Sequence, residues 1–291
     1  PTTYVCMAFQ KALDEMPERE RAGSDLAVLV LTTDFEKGVD VLAENEVPQA
    51  LPEKEFDVQR VQSAQAQAGE LASPGYLFSR AVKAAILPAN DPALREATPQ
   101  SIMKVSHEDV RHYYQQAWRP DLTTIVVTGD ITPEKARAVI EKEFGGWKAE
   151  GPTPDITLPA VPLSRASRAV VPDKSSVQDE VVLAETLGLT PAQPDHFLLQ
   201  LGNEVLGGGL FSSRLYRDLR VKTGYVYSVG SAFEWGRTRG MYSVNFGADP
   251  DKVGKARNAA LRDIKAMQLA PPSVEELALA KASLLRSIPL Q

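Results

Sequence analysis

Leu206-Gly-Gly-Gly-Leu-Phe-Ser-Ser-Arg-Leu-Tyr-Arg-Asp-Leu-Arg-Val-Lys-Thr-Gly-Tyr-Val-Tyr-Ser-Val229 is the stretch on which the reading of this chain turns. Gly207, Gly208 and Gly209 break one helix and predict a flexible loop. Ser212 and Ser213 offer a cap for the next helix, expected over 212–222. That helix runs into a strand expected over 224–234, where Tyr225 and Tyr227 fall on one face at the two-residue period. Arg214, Arg217 and Arg220 recur every third residue and spiral slowly down one helical side. Such a row is ordinarily a solvated face with ion pairs, and Asp218 is at hand. Cationic and phenolic groups beside adaptable backbone suit a peptide or another anionic or carbonyl-bearing ligand. A phosphate loop is disfavoured: the glycines lack G-x-G-x-x-G spacing and a Walker lysine, and they follow a helix instead of a strand.

The rest of the chain bounds the answer. Its 291 residues fit two ordinary domains, and 43% hydrophobic with 24% charged residues is close to the globular average. A net charge of −6 with no long basic run disfavours nucleic acid. No apolar run reaches the roughly 18–20 residues of a membrane span. Cys6 is the only cysteine, which excludes an intrachain disulfide and a multi-cysteine zinc site and assigns no compartment. Beginning at Pro1 and ending at Gln291, the sequence reads as a processed or truncated product.

Strands and helices mix in both halves. Residues 26–32 read as a buried strand, and Phe35, Val39, Leu42 and Ala43 recur at helical spacing until Pro48 ends the helix. Helices are expected over 53–72 and 76–87, with a loop over 88–99. Ser106 caps a helix that stops at Arg119-Pro120. A strand over 122–128 and a helix from Thr132-Pro133 to Phe144 follow. Proline-rich residues around 151–166 mark a linker between an α/β domain over 1–150 and a second over 167–291. In the second, strands are expected at 167–171, 178–186, 224–234 and 239–247, and helices at 195–206, 212–222, 250–269 and 274–287. Ser273 and Glu276 form a capping box for the last. The class is α+β: two α/β sandwiches, each sheet carrying helices mainly on one face.

His107-Glu-Asp-Val-Arg-His112 superficially resembles a zinc helix. A helical pair needs His at i and i+4, whereas these stand five apart, roughly 140° around the axis at 3.6 residues per turn. Ser106 as cap, with Glu108 and Asp109 in the first turn, makes this a helix start. His196, the third histidine, is isolated beside Asp195 at another helix start and reads as structural.

Taken together, Asn203–Val229 resembles the C-terminal region of the pitrilysin-like (M16, inverzincin) zinc peptidases. So do Leu51-Pro-Glu-Lys-Glu-Phe56, Ser106-His-Glu-Asp-Val110 through Trp118-Arg-Pro120, and Ile125-Val-Val-Thr-Gly-Asp130 with Phe144-Gly-Gly-Trp147. The segment from Pro271 to Pro289 is similar to that family's terminal helix. Active members carry His-x-x-Glu-His, two histidines and a distal glutamate holding zinc, and this chain contains no such motif. Gln59 stands at the approximate place of the distal glutamate, and a neutral amide is a poor zinc ligand.

The resemblance implies a zinc-free, substrate-binding half whose hydrolytic reaction is completed by a partner or fused domain carrying zinc. Whether the chain counts as an enzyme then depends on that half. It also implies that Arg220 and Tyr227, seven residues apart, are the substrate and transition-state residues of this half. The partners implied are the zinc-bearing half or subunit, an unfolded peptide and, as an option, a second copy of the chain. A non-enzymatic binding or assembly protein on the same fold is the alternative.

Overall fold

The computed structural model describes residues 2–8, 26–47, 52–155 and 157–287. Pro48, Leu51 and Pro289, used above, lie outside them. In chain order the elements begin with β1 (Thr2–Ala8), β2 (Leu26–Leu31), α1 (Phe35–Glu46), α2 (Glu53–Leu71) and α3 (Pro74–Ile86). Next come α4 (Pro99–Lys104), α5 (His107–Ala117), β3 (Thr124–Gly129) and α6 (Pro133–Phe144). The remainder is β4 (Asp179–Leu187), α7 (His196–Asn203), β5 (Ser228–Trp235), β6 (Gly240–Ala248), α8 (Val253–Leu269) and α9 (Val274–Ser287). They form two compact units, one of Pro1–Leu71 with Glu96–Leu158, the other of Ala72–Arg95 with Pro159–Gln291.

In the first unit an antiparallel sheet has the order β2-β1-β3, with Tyr4 opposite Leu29 on one side and Thr128 on the other. Phe35, Val39, Leu42 and Ala43 line one side of α1 and are buried with Val139, Phe144 and Trp147. Val28, Ile125 and Val127 reach this core from the sheet face that alternation assigns to it. Burying each large side chain contributes about 1.5–3 kcal/mol. At the start of α5, Ser106 Oγ accepts from the Asp109 amide (3.1 Å) while the Asp109 carboxylate accepts from the Ser106 amide (2.8 Å). This reciprocal box satisfies two orphan donors and explains why His107 sits in the first turn. Arg119 is buried; it donates to Asp121 (2.9 and 3.0 Å) and to the carbonyls of Glu150 (2.6 Å) and Gly151 (3.1 Å). The guanidinium thus anchors the start of the proline-rich segment to the end of α5.

In the second unit the sheet has the order β4-β6-β5, all antiparallel, with Val229 opposite Phe246 and Leu183 opposite Val244. Val229, Val244, Phe246 and Ala248 are buried on one face beneath Ala256, Ala259 and Ala260 of α8. Three alanines spaced i, i+3, i+4 let that helix lie close to the sheet. The segment 72–95 is fastened here by the buried Asp91, whose carboxylate accepts two bonds from Arg239 (2.9 and 3.1 Å). Residues 167–171, expected as a strand, form none and are exposed except for Val171, which is half-buried. The apolar run Ala169-Val170-Val171 finds no partner strand. Contact with β4 comes earlier instead, where Thr186 donates to the Pro162 carbonyl (2.7 Å).

Candidate functional site

The glycine run follows α7 without a break in winding, because residues Glu204–Gly208 continue as a π-turn. The Gly209 amide donates to the Glu204 carbonyl (3.0 Å), the five-residue reach of that winding. Close approach explains the glycines. A Cβ at Gly207 would stand 2.3 Å from Ser231 Oγ and 2.8 Å from a Leu215 methyl; at Gly208 it would meet Asn203, and at Gly209 the Glu204 carbonyl. Asn203 holds this turn to β5: its amide donates to the Ser231 carbonyl (2.9 Å) and its oxygen accepts from the Ser231 hydroxyl (2.6 Å). Adaptability of the loop is a matter of motion, but its composition is accounted for by packing.

The arginine row does not behave as one face. The helix beyond the glycines is also π-wound over Tyr216–Lys222, which rotates successive side chains away from the α-helical progression. Leu215 and Leu219 turn fully inward. Arg214 grips Glu276 of α9 through two bonds (2.8 and 2.7 Å), holding the Glu276 carboxyl down at about 2. Asp218 pairs with Arg262 of α8. Arg220 points elsewhere, at the Val226 carbonyl (3.4 Å).

Gly224 ends this helix with a φ of +61°, the left-handed conformation that glycine adopts without a Cβ penalty. The Tyr225 amide reaches back to the Leu219 carbonyl (2.9 Å) and the Thr223 amide to the Asp218 carbonyl (3.0 Å). A left-handed glycine thus closes the end of the π-wound helix. It corrects the expected strand over 224–234: the early amides serve the cap, so β5 begins only at Ser228. Tyr225 and Tyr227 consequently do not share one environment. Val226 is buried between them, Tyr225 packs against the core, and Tyr227 is 49% exposed.

Arg220 and Tyr227 come together at this cap. The guanidinium carbon lies 5.9 Å from the centre of the Tyr227 ring, within the range of a cation–π contact. The Tyr227 amide joins the ladder through the Gly247 carbonyl (2.9 Å), and its phenol donates to Asp249 Oδ1 (3.0 Å). Lys252 donates to the other oxygen, Oδ2 (2.8 Å). Lys252 first, and then the Tyr227 hydroxyl, hold the Asp249 carboxyl below its ordinary value. Sequence reasoning missed Asp249 and Lys252. They lie beyond the motif, at the β6–α8 junction, and only the antiparallel return of β6 brings them beside Tyr227.

Zinc needs three or four clustered donors. Among the described residues no group of three or more His, Cys, Asp and Glu could hold a metal ion. Gln59 is exposed on α2, and His107 packs edge-on to Phe56 (5.6 Å). His112 lies within 3.2 Å of Gln116, and His196 packs against Trp235 (4.6 Å). The described residues do not fit a zinc ion. Among them, no helix is long and apolar enough to cross a membrane.

Comparison with known proteins agrees with this architecture. Residues 104–284 match the family described as "Peptidase M16 inactive domain". The uncharacterized zinc protease SCO5738 of Streptomyces coelicolor is 25% identical over 236 residues, covering 77% of this chain and 50% of that protein. The uncharacterized zinc protease YmxG of Bacillus subtilis is 26% identical over 156 residues, covering 54% and 36%. The chain therefore spans half or less of the length of these curated relatives. The crystal structure of a peptidase M16 inactive domain from Pseudomonas fluorescens superposes with a TM-score of 0.79 at 19% identity, covering 98% of this chain and 78% of that one.

Proposed function

This chain belongs to the peptidase M16 family, and from that premise we propose that it is the zinc-free, substrate-binding half of a zinc metallopeptidase. The half that carries His-x-x-Glu-His would complete peptide-bond hydrolysis; the relatives named as zinc proteases, longer than this chain, support such a division. The observation that carries the reading is the convergence of Arg220 and Tyr227 on one exposed edge of the second unit, at the end of the β5–β6 hairpin. The Arg220 guanidinium presents a planar fork of donors, suited to a peptide carbonyl or carboxylate. The Tyr227 phenol is the group that would hydrogen-bond the substrate oxygen on which charge develops, an interaction that strengthens in the transition state. Both side chains ride on backbone fixed by the Gly224 cap and the ladder bond at Tyr227, so their directions are set before substrate arrives.

The test is hydrolysis of an unstructured peptide by the chain alone, and by the chain with its zinc-bearing half. Activity that requires both, and that falls about 100-fold in kcat in Tyr227→Phe, is expected for a lost transition-state donor. Arg220→Ala is expected to weaken peptide binding. Chelator-sensitive hydrolysis by the chain alone overturns the zinc-free assignment. Unchanged activity in both variants overturns the substrate-binding role and favours a non-enzymatic binding or assembly protein.

A further inference from the structure

We infer that Asp249 is a positioning residue for Tyr227, fixing the phenol from behind while Lys252 keeps the carboxylate occupied. The inference rests on the reading of Tyr227 given above. Its ground is geometric: each oxygen of the carboxylate has its own donor, Oδ1 the phenol (3.0 Å) and Oδ2 the ammonium (2.8 Å). Lys252 on Oδ2 and the backbone turn at Asp249 orient the carboxylate independently of the tyrosine. Its remaining oxygen, Oδ1, then sets where the phenolic oxygen rests.

The backbone makes the arrangement stiff. Asp249 follows β6 directly, and its carbonyl accepts from the amides of Lys252 (2.8 Å) and Val253 (3.2 Å), closing the turn that opens α8. Tyr227 is tied to the other strand of the hairpin end through Gly247. Phenol and carboxylate are therefore fixed by one ladder, while the arginine approaches the ring from the π-wound helix. Without Asp249 the half-exposed ring has no polar group fixing its tip. It would sample rotamers, and a reacting group misplaced by about 1 Å loses up to about 100-fold in rate.

The carboxylate also governs the single phenolic proton. While Asp249 accepts it, the outward side of the oxygen offers a lone pair, suited to a peptide N–H. When the hydroxyl turns to a substrate oxygen that is gaining charge, Lys252 remains on Oδ2, so the carboxylate is not left as a bare anion. An amide in its place cannot serve both donors: if its oxygen accepts from Tyr227, its NH2 faces the Lys252 ammonium.

The experiment compares kcat and KM of the chain assembled with its zinc-bearing half, for Asp249→Ala, Tyr227→Phe and the double variant. Melting of each variant is followed in parallel. Asp249→Ala is expected to lower kcat about tenfold with little change in KM, a loss of placement alone. In the Tyr227→Phe background the same substitution is expected to have less than about a twofold effect, because residues acting as a unit are non-additive. Asp249→Asn should be impaired, and Asp249→Asn with Lys252→Met should recover most of the rate, since the amide oxygen can then accept from the phenol unopposed. An Asp249→Ala loss that multiplies with that of Tyr227→Phe overturns the inference, as does no loss where Tyr227→Phe has one. If Asp249→Ala does not fold, failure of the Asn/Met pair to recover the rate overturns it equally. A silent Tyr227→Phe instead removes the underlying reading of Tyr227.

Discussion

Neutralising Glu276 is expected to loosen the second unit by an amount that depends on pH. Arg214 and Glu276 form a two-point pair between the π-wound helix and α9, with side chains 22% and 18% exposed. The Arg214 guanidinium, helped by the Ser273 amide, lowers the Glu276 carboxyl from 4.5 to about 2. At about 1.4 kcal/mol per pH unit the full shift corresponds to about 3 kcal/mol. Solvent screening at a rim position reduces the expected loss to about 2 kcal/mol.

Glu276→Gln isolates the charge, since an amide oxygen can still accept from the Ser273 amide (2.9 Å) and the Ser273 hydroxyl still caps the Glu276 amide (3.2 Å). The assay is urea or thermal unfolding of wild type, Glu276→Gln, Arg214→Met and the double variant, which yields the coupling directly. A loss of about 2 kcal/mol lowers Tm by about 4–8 °C. Because the folded carboxyl titrates below the unfolded one, the stabilisation is complete above pH 4.5 and disappears as pH falls towards about 2. The wild-type advantage should therefore shrink across that window. A coupling below about 0.5 kcal/mol at neutral pH, the level of an ordinary surface pair, would refute the reasoning. So would an advantage unchanged by acid.

Three further outcomes are expected. Gly207→Ala forces a methyl against Ser231 and Leu215, and overpacking of this kind costs about 1–3 kcal/mol, read as a lowered Tm. Gly69→Ala in α2, where a Cβ meets nothing within 4 Å, should instead be neutral or stabilising by up to about 1 kcal/mol. Arg239→Met leaves the buried Asp91 carboxylate without its guanidinium, and an uncompensated buried charge costs about 3–5 kcal/mol in urea unfolding.

Much of the fold was legible because it is written in short-range periodicity and capping chemistry. Phe35, Val39, Leu42 and Ala43 announce a buried helical face, and all four are buried. Ser106 and the Ser273–Glu276 box announce helix starts, and both form. What escaped depends on partners remote in sequence. Residues 167–171 carry a strand-like pattern, but a strand exists only where a neighbour supplies the ladder. Asp91 and Arg239 stand 148 residues apart, and neither residue's surroundings advertise the other.

The candidate site shows the same division at finer scale. A chain of Arg, Leu and Tyr read at 3.6 residues per turn gives one arginine stripe. In the structure Leu215 and Leu219 turn inward together, and the row divides into Arg214 for Glu276 of α9 and Arg220 for Tyr227. Both destinations lie on other elements, which the spacing of the arginines alone does not reveal. Gly224 did carry a local signal: a glycine directly after a helix ending in Lys222-Thr223 is a C-cap before it is the start of a strand. Read so, it moves the start of β5 beyond Tyr227 and separates that half-exposed tyrosine from Tyr225, which packs against the core. The position of one left-handed glycine thus decides whether Tyr227 continues a strand or follows a cap, and beyond the cap its side chain is 49% exposed.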